Sequence, residues 1–364
     1  MGVGCSEVIE MMNKDSSYFA NSLHTDGGFC WWYADLVDQQ GNGCVLVWSF
    51  GLPFLPGSRK KQAGWRRPSV HFALYESGRA KLYLLNQHSP EKADIAPASG
   101  SGSIGASRFL LEEVAGRLKM HAQLHELIDS SGEELEVDLR IEGPALDLPN
   151  AGANLEQSAH VWAPRSLTAS GKVEIQTHDY SCSLEGSAYV DSNASDTPLH
   201  EQGLLDWRWG RITFPYGTYV YYDVTSEQGE RQARVLFAQP EQFRCRDIAV
   251  SFRDFRRSSY GLNTPRTVIL GGERTVLARH SSVVDDGPFY QRYLVEALDE
   301  RGVKGRGVAE YVAPSKVDVP WQRPFVRMRT HRVHGSNSFF LPLFSGLNGT
   351  GARRLLNQAL WGAY

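Results

Sequence analysis

The segment Tyr189-Val190-Asp191-Ser192-Asn193 sets a carboxyl between a phenol and a carboxamide. Read as an extended strand, it puts Tyr189, Asp191 and Asn193 on one face. A carboxylate among apolar groups is costly unless it is paired or protonated. A paired one is structural, whereas a protonated one is a proton donor. An aspartate capping the turn before Pro198 would explain Asp191 without any chemistry. His160-Val161-Trp162 sets an imidazole and an indole on one strand face in the same way. An isolated histidine there is more often a satisfied interior residue than an acid or base. In Trp207-Arg208-Trp209-Gly210-Arg211, alternation groups Trp207, Trp209 and Arg211. Arg211 either pairs with a buried carboxylate or lies at the surface beside two packed indoles. Trp31, Trp32 and Tyr33 sit in an aromatic run that points to both faces of a strand, as pocket lining or as plain core.

The elements that must position these residues read as strands. Short apolar or alternating runs recur at Cys44–Phe50, Val70–Tyr75, Ala80–Leu85, Leu135–Ile141, Thr218–Val224 and Tyr290–Ala297. Leu135, Val137, Leu139 and Ile141 alternate with charged residues, as in a half-buried strand. Turn signals such as Gln40-Gly41-Asn42-Gly43 and Ser130-Ser131-Gly132 lie beside them, a pattern that favours sandwiches and barrels. Ser99–Ser103 reads as a flexible loop, and Pro314–Pro324, with its prolines, as extended or turning rather than helical. Short helices are expected only near the ends, over Ser6–Asn13 and Arg353–Trp361. A boundary is expected near 198–206, where Pro198 and Gly203 precede a new strand series.

The chain has 364 residues, enough for two independent cores. Its net charge of −3 argues against nucleic acid as a partner, which needs a basic face. Five cysteines without a CxxC pair argue against a zinc site or a disulfide framework and for a reducing, cytoplasmic setting. His331 and His334 lack a nearby third ligand, so no metal is expected. There is no nucleophile elbow, HExxH, phosphate loop or dinucleotide fingerprint. Met1-Gly2-Val3-Gly4-Cys5-Ser6 fits a myristoylation pattern, though a short disordered start is the plainer reading. The loop Pro53–Arg67 mixes Phe54, Leu55 and Trp65 with Arg59, Lys60 and Lys61, which suits peripheral contact with an anionic membrane as well as it suits a solvated basic loop.

Taken in order, four motifs resemble the acyclic carotenoid 1,2-hydratases, also called hydroxyneurosporene synthases. They are Trp31-Trp32-Tyr33-Ala34-Asp35, then His160-x-Trp162, then Gly186-x-x-Tyr189-x-Asp191-x-Asn193, and Trp207-x-Trp209-x-Arg211. The wider lipocalin-like superfamily includes lipid-handling proteins and fungal pericyclases. The resemblance runs from about residue 26 to about residue 330 and is loose over 86–158 and 225–290. It implies an all-β protein of two lipocalin-like (calycin) β-barrel domains, 1–202 with the catalytic motifs and 203–364, around a ligand cavity near their junction. It also implies that Asp191, Tyr189, His160 and Trp162 carry the activity. Trp31, Trp32, Tyr33, Asn193, Trp207, Trp209 and Arg211 then belong to the substrate walls.

The implied reaction adds water to a terminal C=C of an acyclic carotenoid or related isoprenoid, with no metal or organic cofactor. Protonation of carbon generates a tertiary cation, which water captures. Burial raises an aspartate pKa by up to ~3–5 units, so Asp191 fits the acid. A positioned acid contributes ~10²–10⁴-fold in rate. Tyr189 and His160 would hold its proton or place the water, and the indoles of Trp162, Trp207 and Trp209 would face the cation at ~2 kcal/mol or more. The same acid could instead trigger cyclisation of an isoprenoid or polyketide, and a third reading is a non-enzymatic lipid carrier. The substrate in every case is a hydrophobic small molecule.

Overall fold

The computed structural model describes residues 16–347, apart from 53, 55, 57–61, 97–98, 129–132, 147–159, 240–241, 247, 273, 328, 330–331, 335 and 338–345. The glycine start, the expected helices at Ser6–Asn13 and Arg353–Trp361, and Arg59, Lys60 and Lys61 lie outside the described residues.

Strands dominate, as the short alternating runs predict, and they form two curved, lipocalin-like sheets. At the centre of the 14-stranded sheet, Phe29–Asp38 lies between Gly43–Phe50 and Ser181–Ser195. Val161–Gln176 follows on the far side of Ser181–Ser195. The chain leaves this sheet after Ser195 and enters the nine-stranded sheet at Leu204, which opens the strand Leu204–Phe214. Leu204–Phe214 pairs with Gly217–Ser226 on one side and Lys304–Val312 on the other. Arg332–Val333 later returns to the first sheet, parallel to Arg79–Gln87.

Every residue of Phe29–Asp38 is buried, and the period of two sorts them between two cores. Cys30, Trp32, Ala34 and Leu36 fill the interior of the first sheet. Phe29, Trp31, Tyr33 and Val37 face the second sheet, where they meet Trp207, Trp209 and Tyr222. A third core, with Ile212, Phe214, Tyr219 and Tyr221, fills the second sheet. Gly186, from the third motif, and Gly28, just before the strand Phe29–Asp38, allow close approach at the edges of this arrangement. A Cβ on Gly186 would lie 2.1 Å from the Val37 carbonyl oxygen, and one on Gly28 the same distance from that of Ser22.

Two local expectations change. Pro314–Pro324 is partly helical: Pro314–Lys316 forms a 3-10 turn and Arg323–Arg327 a short α-helix. Pro314 and Pro324 sit in the first turn of each, where a missing N–H costs nothing. Ser99–Ser103 is not wholly loop, because Gly102 and Ser103 open the short strand Gly102–Ile104. The helix Ser16–His24 packs Phe19 and Leu23 into the first core.

Candidate active site

Asp191 lies in the middle of the interface between the sheets and is 4% exposed. The strand Ser181–Ser195 aims Tyr189, Asp191 and Asn193 at the second sheet, as alternation requires. Its neighbours supply the surroundings by register. Tyr33 stands opposite Asp191, and Trp31 and Trp162 flank Asn193 from the two sides. Immediately after Trp162 the strand Val161–Gln176 shifts register around Pro164, a bulge that accommodates a proline without a ladder donor.

Three donors converge on the Asp191 carboxyl. Trp162 Nε1 donates to Oδ2 at 2.9 Å, Tyr189 Oη to the same oxygen at 2.9 Å, and Asn193 Nδ2 to Oδ1 at 2.7 Å. Trp162 Nε1 also lies 3.1 Å from Tyr189 Oη. No lysine or arginine pairs with Asp191 among the described residues. His160 is fully buried beside this group, with Nδ1 3.1 Å from Tyr222 Oη.

The second sheet covers the group with rings. Tyr222 stacks on Trp162 with centroids 4.8 Å apart and planes at 16°. Trp207 packs against His160 at 4.9 Å and against Trp31 at 6.4 Å. Trp209 contacts Tyr189 at 5.2 Å and Tyr33 at 5.3 Å. The two sheets therefore share one site, with the acid on the first and most of its aromatic cover on the second.

The sequence profile of the carotenoid hydratase CrtC family matches residues 137–338, more than half of the chain, and spans both faces of this site. The chain belongs to the carotenoid hydratase family. It is similar to the acyclic carotenoid 1,2-hydratase of Thiocapsa roseopersicina, 27% identical over 289 residues. That match covers 75% of this chain and 65% of the relative, just under two thirds of its length. The acyclic carotenoid 1,2-hydratase of Rubrivivax gelatinosus is 24% identical over 327 residues, covering 82% and 73% of the two chains. Among solved structures, a Nitrosomonas europaea protein assigned as AttH has a TM-score of 0.56 at 14% identity, covering 78% of this chain and 92% of that one. CghA bound to Sch210972 has a TM-score of 0.53 at 12% identity, covering 79% and 88%. Those two likenesses concern the fold.

Electrostatics separate Asp191 from Asp35, a second carboxyl buried between the sheets. Burial pushes Asp191 up to about 8, against the hydrogen bonds from Tyr189, Trp162 and Asn193 that favour its ionised form. Asp35 is also raised by burial, but the Arg211 guanidinium opposes that by charge and by hydrogen bonding. Arg211 Nε donates to Asp35 Oδ1 at 2.6 Å, and the same guanidinium reaches the Ser187 carbonyl at 2.9 Å and Thr213 Oγ1 at 2.9 Å. Asp35 therefore has a buried cation as partner and Asp191 does not. Burial drives His160 down to about 3, against a hydrogen bond to the Asn193 side chain. The imidazole is therefore neutral near pH 7, and its Nδ1 shares a hydrogen bond with Tyr222 Oη.

The residues singled out from the sequence divide accordingly. Asp191, Tyr189, His160, Trp162, Asn193, Trp31, Tyr33, Trp207 and Trp209 come together in the inter-sheet core or its polar centre. Trp32 does not, since it faces the interior of the first sheet against Phe19 at 6.1 Å. Arg211 shares the interface but is held by Asp35 rather than Asp191. Sequence reasoning missed Tyr222 and Glu310. The run Tyr219-Val220-Tyr221-Tyr222 was legible as a strand, and alternation with Val220 and Val224 would have aimed Tyr222 at the interface. Glu310 raises Asp191 by its charge and is itself bridged by Arg292 Nε at 2.8 Å. Arg292 in turn donates to Tyr75 Oη at 2.6 Å, so the interface contains a second, ion-paired group.

Proposed function

We propose that this chain is a hydro-lyase that adds water to a terminal C=C of an acyclic carotenoid or related isoprenoid, with Asp191 as the acid. The observation that carries this is a buried carboxyl with three hydrogen-bond donors, no paired cation among the described residues and a pKa near 8. Such a group is mostly protonated at neutral pH, as a general acid must be. The names of the curated relatives support the choice of an alkene hydration.

The lone pairs of Asp191 suggest where the acidic proton sits. A carboxylate offers about four acceptor positions. Trp162 and Tyr189 take two on Oδ2 and Asn193 one on Oδ1. The remaining position on Oδ1 holds the proton without displacing a donor. In the reaction, the alkene π pair forms a C–H bond with that proton at the less substituted carbon. The resulting tertiary cation faces the rings of Trp207 and Trp209, each worth ~2 kcal/mol or more in a dry site. Water forms the C–O bond and returns its extra proton to the Asp191 carboxylate. Nothing is oxidised or reduced, and no group on the enzyme is consumed. Trp207 Nε1 and Trp209 Nε1 are buried donors without a partner among the described residues, and they suit holding the attacking water. The substrate is a hydrophobic small molecule drawn from a lipid phase, so the enzyme works in peripheral contact with a membrane.

The test compares wild type with Asp191→Asn on neurosporene or lycopene. The expected result is loss of at least ~10²-fold in turnover with retained fold. Undiminished hydration by the folded variant would refute the assignment. Product mass separates the reactions, because hydration adds one water and cyclisation adds nothing.

A further inference from the structure

One end of the molecule concentrates exposed aromatics and arginines in a chain whose net charge is −3. Residues 251–263 and 319–329 contain six arginines and one acid, Asp254. Asp318 answers Arg323 and Asp285 answers Arg329. Arg253, Arg256, Arg257 and Arg327 are exposed. Among them stand Trp321, 65% exposed, with Phe255 at 45% and Phe325 at 38%. Large rings left this open in water need a reason.

These segments form one rim. Tyr260 packs edge-on against Phe325 at 6.1 Å, which places the Arg256–Arg257 hairpin beside the helix Arg323–Arg327. Arg327 Nη2 donates to the Pro56 carbonyl at 3.3 Å, which joins that helix to the loop after Gly43–Phe50. From the rim inward, Phe54 stacks on Phe289 at 4.9 Å and meets Trp31 at 6.4 Å, and Trp31 touches His160 at 5.5 Å. A run of rings therefore leads from Phe54 to the cover of the Asp191 group, and the Arg327–Pro56 hydrogen bond ties the Phe54 loop to the exposed face.

We propose that this rim docks onto an anionic lipid bilayer and that the Phe54–Trp31 path is where an apolar substrate passes from lipid to site. The first half stands on the surface itself, and the second rests on the hydratase reading. Trp and Phe favour the headgroup boundary, and arginines there bind anionic lipid. Clusters of basic residues at a membrane surface contribute about a fivefold gain in partitioning each. Arg66, stacked over the exposed Trp65 at 4.7 Å, repeats the same pairing at the start of Phe29–Asp38, where Gly64 abuts the Gly28 carbonyl.

The test is cosedimentation of the full chain with phosphatidylcholine vesicles, with and without phosphatidylglycerol. Wild type is expected to sediment with the anionic vesicles and to be released by high salt. Arg253→Glu, Arg256→Glu and Arg257→Glu together should lower partitioning by at least about a hundredfold. Trp321→Ala with Phe325→Ala should lower it by at least about tenfold. Turnover of detergent-solubilised neurosporene, measured in parallel, should be unchanged in both variants, while turnover of vesicle-embedded neurosporene falls with binding. Wild type binding neutral and anionic vesicles alike, not binding at all, or binding unaffected by the charge reversal would overturn the proposal. Absence of wild-type turnover in detergent would instead overturn the hydratase reading and leave the binding result to stand by itself.

Discussion

Replacing Asp191 by Asn should change how stability depends on pH, in a direction fixed by the sign of the Asp191 shift. The folded-state pKa is raised from 3.8 to about 8. The folded protein therefore holds a proton that the unfolded chain releases between those values. The stability this proton contributes is fully present below pH 4 and is lost progressively as pH rises through 8. Each pH unit in that window costs the wild type about 1.4 kcal/mol relative to a variant without the carboxyl. From pH 5 to pH 8 the wild type should lose about 4 kcal/mol relative to Asp191→Asn. The absolute offset between the two proteins is a separate quantity. Asn at 191 can accept from Trp162 and Tyr189, but its amide must face the Asn193 amide, and that cost does not vary with pH. His160 titrates in the opposite sense, held down near 3, so it destabilises the fold as pH falls below 6.5. It does so in both proteins and cancels in the difference. Urea unfolding at several pH values between 5 and 9 supplies the measurement. Parallel stability curves for the two proteins would show that Asp191 titrates alike folded and unfolded, and the argument for a protonated acid would fail.

Tyr222→Phe keeps the ring on Trp162 and removes the hydroxyl that fixes His160. One lost buried hydrogen bond is worth about 1 kcal/mol, so kcat/KM should fall about fivefold with an unchanged circular dichroism spectrum. Arg211→Ala strands Asp35 as an unpaired buried charge and should destabilise the fold by about 3–5 kcal/mol in thermal or urea unfolding. A loss below about 1 kcal/mol would mean that Asp35 is not ionised in the folded protein. In the wild type, kcat/KM should decline above pH 8 as Asp191 ionises, which a pH–rate profile on detergent-solubilised substrate would read.

How much of this was legible beforehand depends on whether a property is periodic along the chain or arises between distant segments. Phe29–Asp38 and Ser181–Ser195 were readable as strands, and the pairing of Tyr189 with Asp191 on one face followed from alternation alone. The same rule could not say which face of Phe29–Asp38 meets the acid, because both faces are buried and both carry tryptophan. Trp32 and Trp31 look equivalent in sequence and lie in different cores. The partner of Arg211 is 176 residues away, and Tyr222 reaches His160 across 62. Neither separation has a local signature. Pro314–Pro324 turns over most of its length, and the short helix that begins at its end was hidden for another reason. Proline forbids a helix interior but suits a first turn, and the two cases share one composition.

The acid of the first sheet depends on the second. Asp191 accepts all three of its hydrogen bonds from Trp162, Tyr189 and Asn193, and these bonds by themselves hold its pKa down. Desolvation raises it most and the Glu310 charge on the second sheet adds to that, and much of the dry cover comes from Trp207, Trp209 and Tyr222 across the interface. A carboxyl with the same donors on an isolated first sheet would be an ordinary ionised group. Trp209→Ala tests this dependence, because Trp209 lies against both Tyr189 and Tyr33, the residue opposite Asp191, yet forms no bond to the carboxyl. Removing the indole opens room for water beside Tyr189, which restores part of the hydration that burial withholds from Asp191. The basic-limb midpoint of the pH–rate profile should move to lower pH by about a unit or more, with the three donors to Asp191 untouched. An unshifted midpoint in a folded Trp209→Ala variant would remove the Trp209 indole from the desolvation of Asp191 and refute this dependence on its cover.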